Sequence, residues 1–185
     1  MSRHLFLRIF GRDIDLETDN AEIIWMVQNL YEHFLVSTPF KSPSVRMRFV
    51  SCDDESDAFI VENDSGLHND QRTSLAECLS TLWHAMISGL KDREIFHAAA
   101  VAHGGSSILM LGDPESGKTT LTLGLLKEGR GDFSLLAEEV SVVDTASGQI
   151  EPFPRALTIT EQTLKLFPEL GFVSKRISGK RTVKW

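Results

Sequence analysis

The chain has 185 residues, a length typical of one domain, and its 42% hydrophobic and 24% charged residues argue against a disordered protein. Its net charge of −7 argues against general nucleic-acid binding, which needs a basic face. The N-terminus is too polar for a signal peptide, and no apolar run approaches a membrane span. We therefore expect a cytoplasmic protein that binds no membrane and keeps Cys52 and Cys78 as reduced thiols.

The first half of the sequence, residues 1–92, predicts a small α+β portion. Its expected elements are strands over 4–10, 14–17 and 45–50 and helices over 20–35 and 74–90. Asp19-Asn20 precedes the first helix as a candidate cap. The acidic stretch from Cys52 to Asp70 is expected to be either a hairpin or a surface segment.

The second half, residues 93–185, predicts strands that alternate with one clear helix. In chain order the expected elements are strands over 95–102 and 107–111, a helix over 118–128, and strands over 133–137 and 140–143. Turn residues separate the first two strands, and Gly129-Arg130-Gly131 is expected to end the helix. This order predicts an α/β fold.

The pattern Gly-x-x-x-x-Gly-Lys-Thr is met in full by Gly112-Asp113-Pro114-Glu115-Ser116-Gly117-Lys118-Thr119, between a predicted strand and a predicted helix. Such a P-loop wraps backbone N–H groups around phosphates, which requires small residues and a helix N-terminus. We expect Lys118 to reach the β- and γ-phosphates of ATP, the Thr119 hydroxyl to bind Mg²⁺, and Thr120 to complete the nucleotide-binding set. The alternative is a turn that only resembles a P-loop, and its position between strand and helix disfavours that alternative.

Two neighbouring carboxylates, Glu138 and Glu139, end the predicted strand over 133–137. A P-loop enzyme needs an acid near its metal, and a second acid can take a proton from an attacking hydroxyl. The alternative is a solvated acidic pair at the end of a strand. The P-loop upstream favours a functional pair.

Four segments together resemble the HPr kinase/phosphorylase family and its smaller relatives, including the kinases found beside lasso-peptide maturation genes. They are Phe96–Val101, Gly112–Thr119, Leu135–Asp144 and Glu151–Leu157. The resemblance implies a P-loop kinase core of the HPr kinase and phosphoenolpyruvate carboxykinase type. It also implies transfer of the γ-phosphoryl group of ATP to a serine or threonine of a protein or peptide. HPr kinases form hexamers, so a homo-oligomer is an open expectation.

The resemblance also implies roles for individual residues. His97 matches a histidine that lines the phosphate and metal site, and Arg155 matches an arginine that faces the active site. Glu138 corresponds to the catalytic base, and Glu139 to the metal-site acid that acts with Thr119. Without the resemblance, His97 would be read as a core or strand-end histidine.

The sequence departs from this family in two ways. HPr kinases usually carry Asp-Asp where this chain has Glu138-Glu139. Full members also continue well beyond the segment that matches Glu151–Leu157. Both departures leave open a non-catalytic nucleotide-binding module, and an NTP hydrolase or small-molecule kinase is a further alternative.

Overall fold

The computed structural model describes residues 2–51, 58–63, 69–171, 175–177 and 180–183. The chain divides into two compact units, Met1–Leu90 and Lys91–Trp185. Across the described residues it is a mixed α/β protein with four α-helices and several sheets, as predicted at this coarse level. The boundary after residue 92 stays a prediction.

Six strands and two helices form the first unit. They are β1 (Arg3–Ile9), β2 (Arg12–Thr18), α1 (Ala21–Leu30), β3 (Leu35–Val36), β4 (Val45–Ser51), β5 (Ala58–Asn63), β6 (Asn69–Ser74) and α2 (Leu75–Ile87). The strands make one sheet in the order β3-β1-β2-β4-β5-β6, in which only β2 and β4 pair in parallel. The antiparallel pair β5 and β6 identifies part of the acidic stretch as a hairpin, while Cys52 lies outside the described residues.

Alternation of apolar and polar residues gives this sheet one buried face. The buried members on β1, β2 and β4 are Leu5, Leu7, Ile9, Ile14, Leu16, Val45, Met47 and Phe49. Helix α1 buries Ile23, Met26 and Val27. Each of the three strands places every second side chain on the same face, so the pattern itself sets their register.

Helix α1 begins as predicted and ends earlier than predicted. The Asn20 side chain accepts hydrogen bonds from the backbone N–H groups of Glu22 (2.9 Å) and Ile23 (3.0 Å), which confirms the cap. The helix ends at Leu30 instead of Leu35. Residues Leu35 and Val36 pair with β1 as β3, and strand pairing satisfies their backbone groups in place of the helix.

The opposite face of this sheet carries charged side chains in cross-strand pairs. Arg8 on β1 lies opposite Asp13 on β2, and its Nε is 2.7 Å from Oδ1 of that carboxylate. Glu17 on β2 lies opposite Arg48 on β4, with 3.6 Å between Nε and Oε2. Opposite charges on facing positions stabilise the register of neighbouring strands.

The second unit contains two α-helices and several short strands among its described residues. Its elements are β7 (Arg93–Phe96), β8 (Ala98–His103), β9 (Ser106–Leu111), α3 (Lys118–Glu128), β10 (Phe133–Ala137), β11 (Ser141–Asp144), β12 (Ile150–Glu151), β13 (Leu157–Ile159), α4 (Glu161–Leu166), β14 (Lys175–Ile177) and β15 (Lys180–Val183). They form three sheets, ordered β10-β8-β9, β12-β11-β7 and β13-β15-β14. The bounds of α3 and β10 match the sequence prediction.

One predicted continuous strand is interrupted in this unit, and that prediction was wrong. The strand expected over 95–102 divides at His97 into β7 and β8, which belong to different sheets. The two strands expected over 133–137 and 140–143 are present as β10 and β11, separated at Glu138–Val140. Both segments pass from one sheet to another at these interruptions, because β10 pairs with β8 while β11 pairs with β7.

An apolar core joins α3 to the strands around it. Its buried members are Ala99, Val101, Met110, Leu123, Leu126, Leu157, Ile159, Leu164 and Leu170. The β13–α4 segment therefore packs on the same core as α3. This packing holds the first turn of α3 close to the chain that follows β12.

Two further expectations concern thiols and membranes. Cys78 is a buried free thiol, and burial raises its pKa to about 12, so it is inert at neutral pH. In the portion of the chain that the structure describes, no helix is both long and apolar enough to span a membrane.

Candidate functional site

Three predicted site segments meet at one edge of the β10-β8-β9 sheet. Strand β8 lies between β9 and β10 and is antiparallel to both. Strands β9 and β10 therefore run in the same direction, and both end where β8 begins. The loop after Leu111, the carboxylates after Ala137 and His97 before Ala98 consequently lie at the same edge.

The glycine-rich loop, residues 112–117, contains left-handed backbone and a close approach at Gly112. Gly117 has a φ of 92° and Glu115 a φ of 64°, both in the left-handed region that glycine adopts most readily. A Cβ added to Gly112 would lie 2.5 Å from the Oγ of Ser116, closer than side-chain atoms pack. The close return of the chain on itself thus requires glycine at position 112.

Helix α3 starts immediately after this loop, at Lys118. Its N-cap is Gly117, which makes no side-chain capping bond, so the first-turn N–H groups face the loop without a side-chain acceptor. The Nζ of Lys118 donates hydrogen bonds to the carbonyl oxygens of Gly112 (2.7 Å) and Asp113 (2.9 Å). A positive charge and a helix N-terminus therefore converge on the loop, which favours an anion there.

The carboxylate of Glu138 reaches the first turn of this helix. The Thr119 hydroxyl donates to Oε1 of Glu138 at 3.4 Å, and the Glu138 residue is 3% exposed. Its other oxygen, Oε2, has no hydrogen-bond partner among the described residues. A buried carboxylate oxygen without a donor is costly, and such groups call for a functional explanation.

Burial raises the pKa of Glu138 to about 7. The Arg155 guanidinium opposes this rise, the negative charge of Glu139 adds to it, and the Thr158 backbone N–H and the Thr119 hydroxyl oppose it by hydrogen bonding. A carboxyl group with this pKa exchanges its proton near neutral pH, which is the property required of a general base.

Backbone pairing of Phe153, two residues earlier in the chain, places Arg155 beside the two glutamates. Phe153 forms a parallel bridge with Ala137, and its N–H donates to the carbonyl of Leu136 at 2.6 Å. The Nη2 of Arg155 then lies 3.2 Å from Oε2 of Glu139 and 3.9 Å from Oε2 of Glu138. One cation thus stands between two carboxylates, and its side chain is 10% exposed.

Glu139, which was predicted to hold a metal together with Thr119, forms an ion pair with Arg155. Its φ is 68°, a left-handed conformation that turns the chain between β10 and β11. Its half-exposed carboxylate pairs with Arg155, whereas the Thr119 hydroxyl bonds to Glu138. The geometry thus brings Thr119 together with Glu138 and Glu139 together with Arg155.

His97 lies at the sheet edge with an exposed side chain, and it makes no hydrogen bond or ion pair with the described residues. Over the same residues, no group of three or more His, Cys, Asp and Glu side chains is arranged to hold a metal. Any metal here would need hydroxyl or ligand oxygens besides the carboxylates. Mg²⁺ is commonly held in that way, by one or two carboxylates together with substrate phosphates.

Two threonines of the β13–α4 segment also reach site residues, and the sequence analysis did not identify them. The Thr158 backbone N–H opposes the rise in the pKa of Glu138, and the Thr163 hydroxyl lies 3.3 Å from that of Thr120. The capping role of Thr160, which accepts from the Thr163 N–H at 3.2 Å, has a sequence signal, since threonine is a preferred N-cap. The contact with Thr120 is purely tertiary and has no such signal.

Comparison of the chain with models of protein families, with curated proteins and with solved structures gave no match.

Proposed function

We propose that this chain is an ATP-dependent kinase of the HPr-kinase-like type, acting on a serine or threonine hydroxyl of a protein or peptide. Its P-loop would be residues 112–119, within a core like that of HPr kinase and phosphoenolpyruvate carboxykinase. The observation that carries the proposal is the 3.4 Å contact between the Thr119 hydroxyl and the buried Glu138 carboxylate. That contact joins the glycine-rich loop to a carboxylate whose pKa is about 7.

The residues fit a nucleotide phosphate chain with Mg²⁺. The loop turns through left-handed backbone at Glu115 and Gly117, a conformation of the kind in which successive N–H groups can surround an anion. Lys118 and the N-terminus of α3 supply positive potential. The Thr119 hydroxyl and the Glu139 carboxylate would supply hard oxygen donors of the kind that Mg²⁺ prefers. The unpartnered Oε2 of Glu138 is then left for the acceptor proton.

Each residue has a defined task in the proposed reaction. Lys118 moves from the loop carbonyls to the β- and γ-phosphate oxygens, and the loop N–H groups fix the phosphate chain. Glu138 orients the acceptor hydroxyl and takes its proton on Oε2 as the oxygen attacks the γ-phosphorus. The bond from the γ-phosphorus to the β–γ bridging oxygen breaks, and ADP leaves with that electron pair. When bound, Mg²⁺ neutralises charge that develops on the phosphates. Arg155 stabilises the carboxylate form of Glu138, which is the form that accepts a proton.

One observation favours a second candidate, a non-catalytic nucleotide-binding module. Glu139 pairs with Arg155 at 3.2 Å, and its carboxylate does not bond to Thr119. If this pairing persists with nucleotide bound, Glu138 alone must both bind the metal and accept the proton of the acceptor hydroxyl. A protein in that condition would bind Mg·ATP and transfer nothing.

Phosphate transfer to a mixture of serine- and threonine-containing peptides, with HPr included, separates these functions. We expect transfer by the wild type and a loss of at least about a hundredfold in Glu138→Gln, because general-base catalysis contributes that much or more. Glu128→Gln is the matched control, since Glu128 is an exposed residue at the far end of α3. Mg·ATP binding without transfer would favour the module, and phosphate release that peptides do not change would favour a hydrolase.

A further inference from the structure

A chain of three threonine hydroxyls runs from the β13–α4 segment to the first turn of α3. The Oγ1 atoms of Thr160 and Thr163 are 3.1 Å apart, and those of Thr163 and Thr120 are 3.3 Å apart. Thr163 is 5% exposed and sits beside the apolar core that joins the two helices. A buried hydroxyl keeps a fixed orientation, because losing its partners costs free energy.

Either oxygen can be the donor in both hydroxyl contacts, and one assignment directs every proton towards α3. Thr160 Oγ1 already accepts the Thr163 N–H at 3.2 Å, so its own proton is available for the oxygen of Thr163. Each hydroxyl donates once and accepts through its lone pairs. Thr163 can therefore donate to Thr120, and the Thr120 hydroxyl keeps its proton for a further acceptor.

The next threonine on the same helix, Thr122, has a different bonding pattern. The Thr122 hydroxyl donates to the carbonyl of Lys118, four residues earlier, at 3.0 Å. Threonine in a helix divides between two side-chain rotamers because it can make this local bond. The Thr120 hydroxyl instead contacts the Thr163 hydroxyl of α4 at 3.3 Å.

We infer that Thr163 is a positioning residue for a nucleotide phosphate, acting through Thr120, with the hydroxyl protons ordered from Thr160 through Thr163 to Thr120 and then to a phosphate oxygen. The inference rests on the proposed function, because it needs a phosphate chain at the N-terminus of α3. The β13–α4 segment, which lies outside the P-loop motif, then contributes to nucleotide affinity.

A double-mutant cycle on Mg·ATP affinity, measured by calorimetry, tests this inference. We expect Thr163→Val to weaken binding about fivefold, the size of one net hydrogen bond, and Thr163→Ser to restore it. In a Thr120→Val background, Thr163→Val should have no further effect, because the two residues act in series. Thr122→Val is the control, and its affinity should equal that of the wild type.

Three outcomes would overturn the inference. Unchanged affinity in Thr163→Val would remove the role, and an equal loss in both backgrounds would show a general packing defect instead of an action through Thr120. An affinity loss in Thr122→Val as large as that in Thr163→Val would point the same way. A wild-type protein that binds no Mg·ATP would refute the nucleotide site itself, and this failure is distinct because no variant is needed to see it.

Discussion

Two groups of charged side chains, one in each unit, are arranged in opposite ways. On the outer face of the first sheet, Arg8 has a partner on the next strand, Asp13, and both side chains reach solvent. In the second unit, Glu138 is buried, Glu139 is its neighbour, and Arg155 is the cation between them. The first arrangement is balanced and solvated, whereas the second has two acids for one base.

This difference separates charges that support a fold from charges that serve a site. Exposed pairs contribute little to stability because water screens them. A buried, unbalanced cluster lowers stability, and perturbed carboxylates of this kind are concentrated at functional sites. The cost of keeping Glu138 without a full set of donors is thus a physical reason to expect a ligand beside it.

The largest effect should come from removing the cation of the buried cluster. Arg155→Ala leaves two carboxylates together with no opposing charge, so we expect the free energy of unfolding to fall by about 3 kcal/mol at pH 8, measured by chemical denaturation. Adding Glu138→Gln and Glu139→Gln to this variant should recover most of the loss. If the triple variant stays as unstable as Arg155→Ala, the cluster is held by packing and not by charge.

A smaller effect, of opposite sign, is expected when the buried carboxylate is neutralised. The pKa of Glu138 rises from 4.5 to about 7 on folding, so the folded state binds more protons across that pH window. The contribution of this group to the free energy of unfolding therefore falls as the pH rises from 4.5 to 7 and stays low above it.

Glu138→Gln removes that penalty. We expect it to raise the free energy of unfolding by about 2 kcal/mol at pH 8 and to change it little at pH 4. Glu128→Gln, at the exposed end of α3, should show no such pH dependence. A Glu138→Gln protein that is less stable than the wild type at pH 8 would mean that the carboxylate is well solvated or fully bonded in the fold.

The smallest effect is expected on the outer face of the first sheet. Arg8→Ala removes an exposed partner of Asp13, and its stability should differ from that of the wild type by less than either buried variant. The difference should also shrink further in 1 M salt, where screening acts over about 3 Å. A loss as large as that in Arg155→Ala would erase the contrast between the two units.

Local signals in the sequence predicted the elements whose ends depend on local chemistry. The Asn20 cap, the bounds of α3 and the strand at Phe133–Ala137 follow from capping, glycine and apolar patterning. The end of α1 was mispredicted because the residues up to Leu35 keep a helical period. Pairing of Leu35 and Val36 with β1 overrides that period, and only the folded chain contains that partner.

The sequence names residues that the structure brings together, and it does not give their contacts. The P-loop pattern and the acidic pair locate Lys118, Thr119 and Glu138, because spacing along one strand–loop–helix unit is a local property. The left-handed turn at Glu139, and its pairing with Arg155, depend on where two sheets exchange strands. No periodic pattern in the sequence indicates where the strands change sheets, so the sequence could not show which glutamate contacts Thr119.

Calorimetric titration of the wild type with Mg·ATP, beside Lys118→Ala, tests the central claim most directly. Lys127→Ala is the matched control, because Lys127 lies at the other end of α3 and pairs with Glu169 at 2.8 Å. We predict that the wild type and Lys127→Ala bind with the same affinity and that Lys118→Ala loses at least about tenfold, the size of a charge-assisted bond to phosphate. Equal binding by all three proteins, or binding by none, would contradict a nucleotide site at the glycine-rich loop.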